Sequence, residues 1–251
     1  MNILITAGGT TERIDPVRGI TNHATGRLGS LIADRFARDA EIARIFYICS
    51  RAAYRPEGAK VAARFVTDTA ELEAAVREVL REHRIDAVIH SMAVSDYRVR
   101  AVTTSARLAE SGTAEDAAAA ILRAEGLRRN EKISSAERDL IILLEPTPKI
   151  IALFRELAPN ALLVGFKLLD GAARETLLGA AARLMERNAC AFVLANDARE
   201  IDGARHAGYL LGRGGGEDVR RFETKREIAD GIADAVLAAL RENRNGGERI
   251  S

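Results

Sequence analysis

The chain has 251 residues, 47% hydrophobic and 29% charged, which excludes disordered and collagen-like chains. Its 37 lysines and arginines balance 36 aspartates and glutamates, without the basic excess typical of proteins that bind nucleic acid or membrane surfaces. No apolar stretch reaches the roughly 18 residues that a membrane span needs, and the apolar opening Met1–Ala7 is shorter than the apolar region expected of a signal peptide. We therefore expect a cytoplasmic protein with small-molecule or protein partners, and no nucleic-acid or membrane partner.

Short, β-rich apolar segments alternate with longer segments of helical periodicity, a pattern typical of a parallel sheet with helices on both faces. The predicted strands are Asn2–Thr6, Arg44–Cys49, Lys60–Phe65, Ala87–His90, Leu140–Leu144, Ala161–Phe166 and Ala191–Ala195. The predicted helices are Thr25–Arg38, Thr69–His83, Thr147–Leu157, Gly171–Asn188 and Thr224–Glu242. We predict an α/β fold with a three-layer, Rossmann-like, doubly wound and mostly parallel sheet. Tyr209–Leu211 and Val219–Phe222 predict a β-hairpin appended to it.

Two threonines and two cysteines carry smaller structural predictions. Thr69 and Thr147, the latter followed by proline, are predicted to cap the helices that begin there. Cys49 and Cys190 lie in apolar segments at strand ends, which favours buried free thiols over a disulfide.

The alternation stops for about forty residues after Val94, and structureless loops of such length are uncommon unless they are functional. We predict a lid over residues 95–135, with one or two helical turns and a flexible tip; an exposed helix pair is the alternative. Residues 1–243 are predicted to form a single nucleotide-binding domain, followed by a frayed polar tail at 244–251.

The ends of the predicted strands carry the candidate ligand-binding residues. Gly8 and Gly9 follow the first strand, at the edge where open α/β sheets bind ligands. Neither the dinucleotide fingerprint nor the P-loop motif is present. Instead a long polar segment leads to Thr25 and Gly26 at the start of the first helix, where free backbone N–H groups favour an anion. We predict a nucleotide or phosphate ligand, although a simple turn is the alternative.

Later strand ends add small and polar groups at the same edge. Carboxylate and amide groups there could bind ribose, base or Mg²⁺, but such residues are often only turn formers. Gly165 leaves room for a planar ring beside Phe166, which is otherwise a core residue. No nucleophile motif is recognisable, and a reaction that depends on positioning phosphates needs none. The residues in question are Ser91, Met92, Ala93 and Asp96 after the fourth strand and Asn196 after the last parallel strand.

The run from Ile5 to Gly29, ITAGGTTERIDPVRGITNHATGRLG, resembles the N-terminal signature of phosphopantothenate–cysteine ligases of coenzyme A biosynthesis. Later segments agree in order and extend the resemblance over roughly residues 2–240: MAVSDY at 92–97, EKI at 131–133, PTPKI at 146–150, VGF at 164–166 and AND at 195–197. The segment HSMAVSD at 90–96 resembles the corresponding segment of the stand-alone bacterial class of these ligases, and we expect a member of that class.

The resemblance implies a two-step reaction. The carboxylate of 4′-phosphopantothenate attacks the α-phosphate of CTP, releasing pyrophosphate and leaving an acyl-cytidylate, and the amine of L-cysteine then displaces CMP. CTP is thus a co-substrate, and Mg²⁺ is expected to bind mainly through the triphosphate, with its protein ligands unknown. A homodimer is also expected, because relatives of this kind are dimers.

The resemblance further implies residue roles. Asn22 stands where the family holds the acyl-nucleotide, Arg18 where it has a supporting arginine, and Thr25 and Gly26 are predicted to hold the substrate phosphate. Family nucleotide positions fall on Asp96, Lys132, Pro148, Lys149, Ile150, Ile151 and Phe166, and on Arg183 and Arg187 in place of the lysines of relatives. Lys132 is predicted to neutralise the departing pyrophosphate. Ser134 and Ser135 replace two lysines of bifunctional members, so Lys149 or Lys167 is expected to supply the missing charge.

Two other classes of function compete with this interpretation. An NAD(P)-dependent reductase would explain Ser50-Arg51 after the second strand, because an arginine there can bind the 2′-phosphate of NADP. However, none of the four tyrosines is followed by lysine at the fourth position, as the common short-chain reductases require. A non-enzymatic nucleotide sensor of the same fold is the third possibility.

Overall fold

The computed structural model describes residues 1–110, 117–123, 126–127, 129–202, 205–213 and 219–247. Its strands are β1 (Asn2–Ala7), β2 (Thr11–Arg13), β3 (Gly19–Thr21), β4 (Arg44–Ser50), β5 (Val61–Val66), β6 (Ala87–His90), β7 (Tyr97–Thr104), β8 (Leu140–Pro146), β9 (Leu162–Leu169), β10 (Phe192–Asp197), β11 (Ile201–Asp202), β12 (Arg205–Gly212) and β13 (Val219–Thr224). Its α-helices are α1 (Arg27–Ala37), α2 (Thr69–Glu82), α3 (Ser105–Glu110), α4 (Ala117–Arg123), α5 (Ile150–Leu157), α6 (Arg174–Asn188) and α7 (Lys225–Gly247).

Six parallel strands form the centre of the main sheet, in the order β5-β4-β1-β6-β9-β10. Antiparallel β12 extends this sheet beyond β10, and β11 and β13 both pair with β12. The predicted Rossmann-like α/β fold and the appended hairpin are therefore confirmed. The order of the strands reverses between β1 and β6, and such a reversal opens a ligand-binding crevice at the carboxyl edge of the sheet.

Helices cover both faces of this sheet, which explains why its strands are apolar without alternation. Ile3 and Ile5 of β1 belong to the core beneath α1 and α7, whereas Leu4 belongs to the core beneath α2, α5 and α6. Cys49 and Cys190 are both buried free thiols, as predicted. Among the described residues, no helix is long and apolar enough to cross a membrane.

The two predicted threonine caps are wrong, because both hydroxyl groups are engaged elsewhere. Asp68 caps α2 by accepting a hydrogen bond from the backbone of Glu71 at 2.8 Å, while the hydroxyl of Thr69 donates to Glu12 at 2.7 Å. The hydroxyl of Thr147 donates to the carbonyl of Ser95 at 2.5 Å, and α5 begins only at Ile150.

The predicted strand Leu140–Leu144 does not join the main sheet. As part of β8 it pairs antiparallel with β7, and the two strands form a separate ribbon, called here the β7–β8 ribbon. The predicted lid therefore opens with a regular strand, followed by α3 and α4. Its residues 111–116, 124–125 and 128 lie outside the described part of the chain.

The C-terminal helix is longer than predicted. It runs from Lys225 to Gly247, beyond Glu242 and into the segment expected to be a frayed tail. Residues 248–251 of that tail lie outside the described part of the chain.

Candidate active site

Strands β1 and β6 remain linked beyond their ends, where the strand order reverses. The backbone of Ala93 donates to the carbonyl of Gly8 at 2.9 Å, and that of Thr10 donates to the carbonyl of Ala93 at 3.1 Å. A parallel β-bridge joins Gly9 to Ala93. Three of the predicted nucleotide-binding residues, Gly8, Gly9 and Ala93, thus form the floor of the crevice.

Two glycines are required by the backbone that surrounds this floor. A Cβ atom on Gly9 would lie 2.2 Å from the backbone oxygen of Asn22, a distance at which no side chain fits. Gly26 has a φ of +71°, which favours glycine, and a Cβ there would lie 3.0 Å from the backbone nitrogen of Gly8. The start of α1 is therefore held directly against the crevice.

Asn22, which the sequence predicts as a site residue, connects the two sides of the crevice. Its side-chain Nδ2 donates to the carbonyl of Ala93 at 3.3 Å, and its backbone N–H donates to the carbonyl of Thr10 at 3.3 Å. The side chain is only half-buried. Its amide can therefore contact a ligand while it remains attached to the loop that follows β6.

The amino end of α1 lies next to Asn22. Gly26 is its N-cap residue and provides no side-chain cap, and the hydroxyl of Thr25 accepts only a long hydrogen bond of 3.4 Å from the backbone of Arg27. Backbone N–H groups in the first turn thus lack intrahelical partners. This is the environment expected for the predicted substrate phosphate at Thr25 and Gly26.

A pocket of about 180 Å³ opens beside β6, between the loop after this strand, α5 and β9. It brings together residues of three separate chain segments that were predicted as nucleotide ligands: Met92, Asp96, Pro148, Lys149, Ile150, Ile151 and Phe166. The remaining lining residues are His90, Val94, Ser95, Thr147 and Leu184. Its walls are largely apolar and its rim carries charges, a combination that suits a planar base attached to phosphates.

The charged rim consists of one ion pair. Lys149 Nζ lies 2.5 Å from the carboxylate of Asp96, and both side chains are more than 60% exposed. A hydroxyl network beneath the pair fixes the loop that follows β6: the backbone of Ser95 donates to the hydroxyl of Thr10 at 2.8 Å, and Thr147 holds the carbonyl of Ser95. The position of Asp96 is thus set by the surrounding backbone.

His90, the last residue of β6, was missed as a site residue by the sequence analysis. It lines the pocket although it is only 9% exposed, and its Nδ1 lies 2.7 Å from the hydroxyl of Thr6. Its ring packs edge-on against Phe154, with 5.0 Å between centroids. Burial lowers the pKa of His90 to about 4, so the imidazole is neutral at pH 7.

Five other predicted residues do not line the pocket. The hydroxyl of Ser91 donates to the carbonyl of Thr6 at 2.8 Å. Asn196 is buried, with its Nδ2 3.3 Å from Nε2 of His206. Arg183 and Arg187 lie on the exposed surface of α6, on either side of the lining residue Leu184. Lys167, proposed to compensate for a missing charge, does not line the pocket, whereas Lys149 does.

Arg18 is held by a buried carboxylate that sequence reasoning did not single out. Both Nε and NH2 of Arg18 lie within 3.0 Å of Asp15, which also accepts hydrogen bonds from the backbone of Val17, Arg18 and Ile133. Arg18 also donates to the carbonyl of Ile133. Burial acts to raise the pKa of Asp15, but the three backbone hydrogen bonds and the charge of Arg18 keep this pKa below its ordinary value.

Lys132 does not line the pocket beside β6. It is exposed and borders a different cavity of about 260 Å³, together with Leu127 and Ser134. Its neighbour Ile133 is the residue held by Asp15 and Arg18. The described structure therefore attaches the Lys132 segment to the hairpin that precedes Asn22, but does not bring this lysine to the other predicted residues.

Metal ligands are sparse around the pocket. Across the described ranges, no three histidine, cysteine, aspartate or glutamate side chains are grouped at metal-ligand spacing. Asp96 is the carboxylate that lines the pocket. One carboxylate fits a Mg²⁺ ion that takes most of its ligands from a bound triphosphate and from water.

Comparison with protein families gives a match over nearly the whole chain. The model of the DNA/pantothenate metabolism flavoprotein C-terminal domain matches residues 1–115 and 111–240. The coenzyme A biosynthesis bifunctional protein CoaBC of Thermococcus kodakarensis is 32% identical over 239 residues, which cover 95% of this chain and 51% of that protein. CoaBC of Mycolicibacterium smegmatis is 25% identical, with 95% and 53% covered. The chain thus spans about half the length of these curated relatives.

Solved structures agree with this match. The crystal structure of the DNA/pantothenate metabolism flavoprotein from Streptococcus pneumoniae aligns with a TM-score of 0.81 at 31% identity, covering 95% of this chain and 99% of that one. A Cab2 mutant in complex with phosphopantothenate-cysteine aligns with a TM-score of 0.70 at 16% identity, covering 98% and 88%. At this identity the second alignment shows a shared fold alone.

Proposed function

Because the chain belongs to the family of DNA/pantothenate metabolism flavoprotein C-terminal domains, we propose that it joins 4′-phosphopantothenate to L-cysteine in coenzyme A biosynthesis. In this proposal CTP activates the carboxylate as an acyl-cytidylate, with release of pyrophosphate and then CMP. The observation that carries the proposal is the pocket at the reversal of strand order, where three chain segments that resemble the ligase family meet.

The pocket is assigned to the nucleotide. Phe166, Met92 and Ile151 supply apolar surface for the base, and Lys149 at the rim supplies positive charge near the triphosphate. A bound triphosphate competes with Asp96 for Lys149, which would free the carboxylate for Mg²⁺. Bound there, Mg²⁺ would neutralise phosphate charge as pyrophosphate departs.

The second substrate is assigned to the other side of the crevice. The free N–H groups at the start of α1 would bind the phosphate of 4′-phosphopantothenate. Asn22 lies between that helix end and the loop after β6, where its amide can donate to the acyl-phosphate oxygens. With both substrates fixed, the carboxylate can attack the α-phosphate directly, so positioning and charge neutralisation supply the catalysis.

The test is pyrophosphate release from the purified chain with 4′-phosphopantothenate, L-cysteine and Mg²⁺, with CTP or ATP as the nucleotide. We expect release, a ligated product by mass spectrometry and a higher kcat/KM for CTP. A higher kcat/KM for ATP would overturn the nucleotide assignment. The absence of release with either nucleotide would overturn the ligase, and consumption of NADPH in a separate assay to which it is added would favour the reductase.

A matched pair of variants tests the pocket itself. Asp96 and Asp170 are exposed aspartates, each in an ion pair with one basic residue, but only Asp96 lines the pocket. We expect Asp96→Asn to lower kcat/KM for CTP by at least about 10-fold, since charged hydrogen bonds contribute roughly this much, and Asp170→Asn to leave it unchanged. The expected homodimer belongs to the same proposal, and analytical ultracentrifugation tests it.

A further inference from the structure

His90 combines three features that the proposed reaction leaves unused. The side chain is nine-tenths buried, it lines the nucleotide pocket, and only one of its ring nitrogens is engaged by the protein. Nδ1 faces Thr6, whereas Nε2 has no hydrogen-bond partner among the described residues. Nε2 is not among the fully buried unpaired side-chain atoms of the described residues, so it remains accessible. Because His90 lines the pocket, this nitrogen is available for a ligand contact.

The environment of Thr6 fixes which nitrogen carries the proton. Thr6 is fully buried, and the only side-chain hydrogen bond of its hydroxyl within the described structure is the 2.7 Å contact to Nδ1 of His90. The hydroxyl must donate in order to avoid a buried unsatisfied O–H group. Nδ1 is then the acceptor, and the single proton of the neutral imidazole lies on Nε2.

The ring is also fixed in orientation. Thr6 holds one edge, and Phe154 packs against the ring at 5.0 Å between centroids. An N–H donor that is fixed in this way within an apolar pocket requires no reorganisation when a ligand binds. A ligand without an acceptor at this point would leave the donor unpaired and would lose affinity.

We propose that His90 is a base-binding residue whose Nε2–H donates a hydrogen bond to an acceptor atom on the ring edge of the nucleotide base. This inference rests on the proposed nucleotide pocket and adds a side-chain contact to it. The O2 and N3 atoms of cytosine are acceptors of the required kind. The partner of His90 is thus the base, and not the triphosphate.

The experiment measures nucleotide binding by isothermal titration calorimetry, without the other substrates, so it does not depend on ligase activity. CTP is compared with ribose 5-triphosphate, which has the same phosphates but no base. The variants are His90→Gln, which keeps an N–H donor at a similar reach, and His90→Met, which fills a similar volume without a donor. Thermal unfolding of each variant reports whether the fold is retained.

We expect His90→Met to weaken CTP binding by about 10-fold, the effect of one lost hydrogen bond in a buried site, and His90→Gln to weaken it by less than about 3-fold. The affinity for ribose 5-triphosphate should be the same in all three proteins. Equal losses for both probes, or an unchanged affinity of His90→Met for CTP, would overturn the proposal.

If the donor is required for CTP binding but no pyrophosphate is released, the ligase assignment fails while that of His90 stands. If His90→Met does not fold, the affinities of the wild-type protein for CTP, 2-thio-CTP and 3-deaza-CTP decide. The proposal requires wild type to lose affinity for at least one of these two analogues, and equal affinities for all three nucleotides would overturn it.

Discussion

The main sheet and the β7–β8 ribbon are built differently, although both carry residues of the proposed site. The main sheet lies between two large hydrophobic clusters, one on each face. The ribbon has one small cluster, in which Val99, Val102 and Ile133 are buried, and it exposes Tyr97 and Leu144. The sheet is therefore held by burial on both faces, whereas the ribbon depends on a few contacts along one side.

This difference corresponds to a division of roles. The ends of the main-sheet strands position the proposed nucleotide pocket and Asn22 through backbone hydrogen bonds, so their geometry is set by the fold. Lys132 lies in the segment between the two strands of the ribbon, and its neighbour Ile133 is held by hydrogen bonds to Asp15 and Arg18. We therefore expect loss of a side chain positioned by the main sheet, such as Asn22, to abolish the reaction. Loss of a side chain in the segment between the ribbon strands, such as Lys132, should only slow the reaction.

The largest effect is expected for Asn22→Asp. The new carboxylate would repel the acyl-phosphate and the triphosphate, and it cannot donate the hydrogen bonds of the amide. Product formation should fall by about 10³-fold, the upper range for loss of one positioned donor, with the unfolding temperature near wild type. A folded Asn22→Asp protein with full activity would show that Asn22 only shapes the turn before α1.

Lys132→Gln should have a smaller effect, on the first step alone. If the lysine reaches the triphosphate during the reaction, its loss should slow acyl-cytidylate formation by about 10²-fold. Single-turnover measurement without cysteine isolates that step. Lys132→Arg should recover part of the rate, since the charge remains but the geometry differs. Formation at the wild-type rate in Lys132→Gln would leave Lys149 as the activating cation.

A matched pair of core variants tests the difference in stability between the two regions. Val164 in the sheet and Val102 in the ribbon are both buried and lose the same atoms on substitution by alanine. Val164→Ala should lower the free energy of global unfolding by about 2 kcal/mol through lost burial and a residual cavity. Val102→Ala should leave global unfolding nearly unchanged and speed proteolysis of the ribbon. Equal losses in global unfolding would show that the two regions unfold as one unit.

The smallest effect is expected for Asp15→Asn, and it depends on pH. The pKa of Asp15 in the folded protein lies below its ordinary value of 3.8. The stabilisation by the ionised carboxylate is thus fully present above about pH 5 and is lost as the pH falls through the folded pKa. Hydrogen exchange of the Ile133 amide should therefore be faster in the variant at pH 7, and the difference in thermal stability should shrink towards pH 3. A difference that is independent of pH would assign the effect to packing.

Periodicity predicted the main sheet because its strands are buried on both faces, which leaves continuous apolar segments in the sequence. The same signal failed for Leu140–Leu144, since an apolar run does not reveal which strand it pairs with. The N-cap preference failed for Thr69 and Thr147, because their hydroxyl groups bond to residues distant in sequence. Such choices depend on contacts that exist only after folding.

The sequence by itself determined the fold class, the hairpin, the family resemblance and the chain segments that contain the pocket. Strand ends and local motifs carry that information, because the carboxyl edge of a parallel sheet collects whatever follows its strands. Only the tertiary structure decided that His90 faces the pocket, that Asp15 holds Arg18 and that Lys132 lies apart from the other predicted residues. These facts depend on which hydrogen-bond partners remain available inside the folded chain, and local sequence does not encode them.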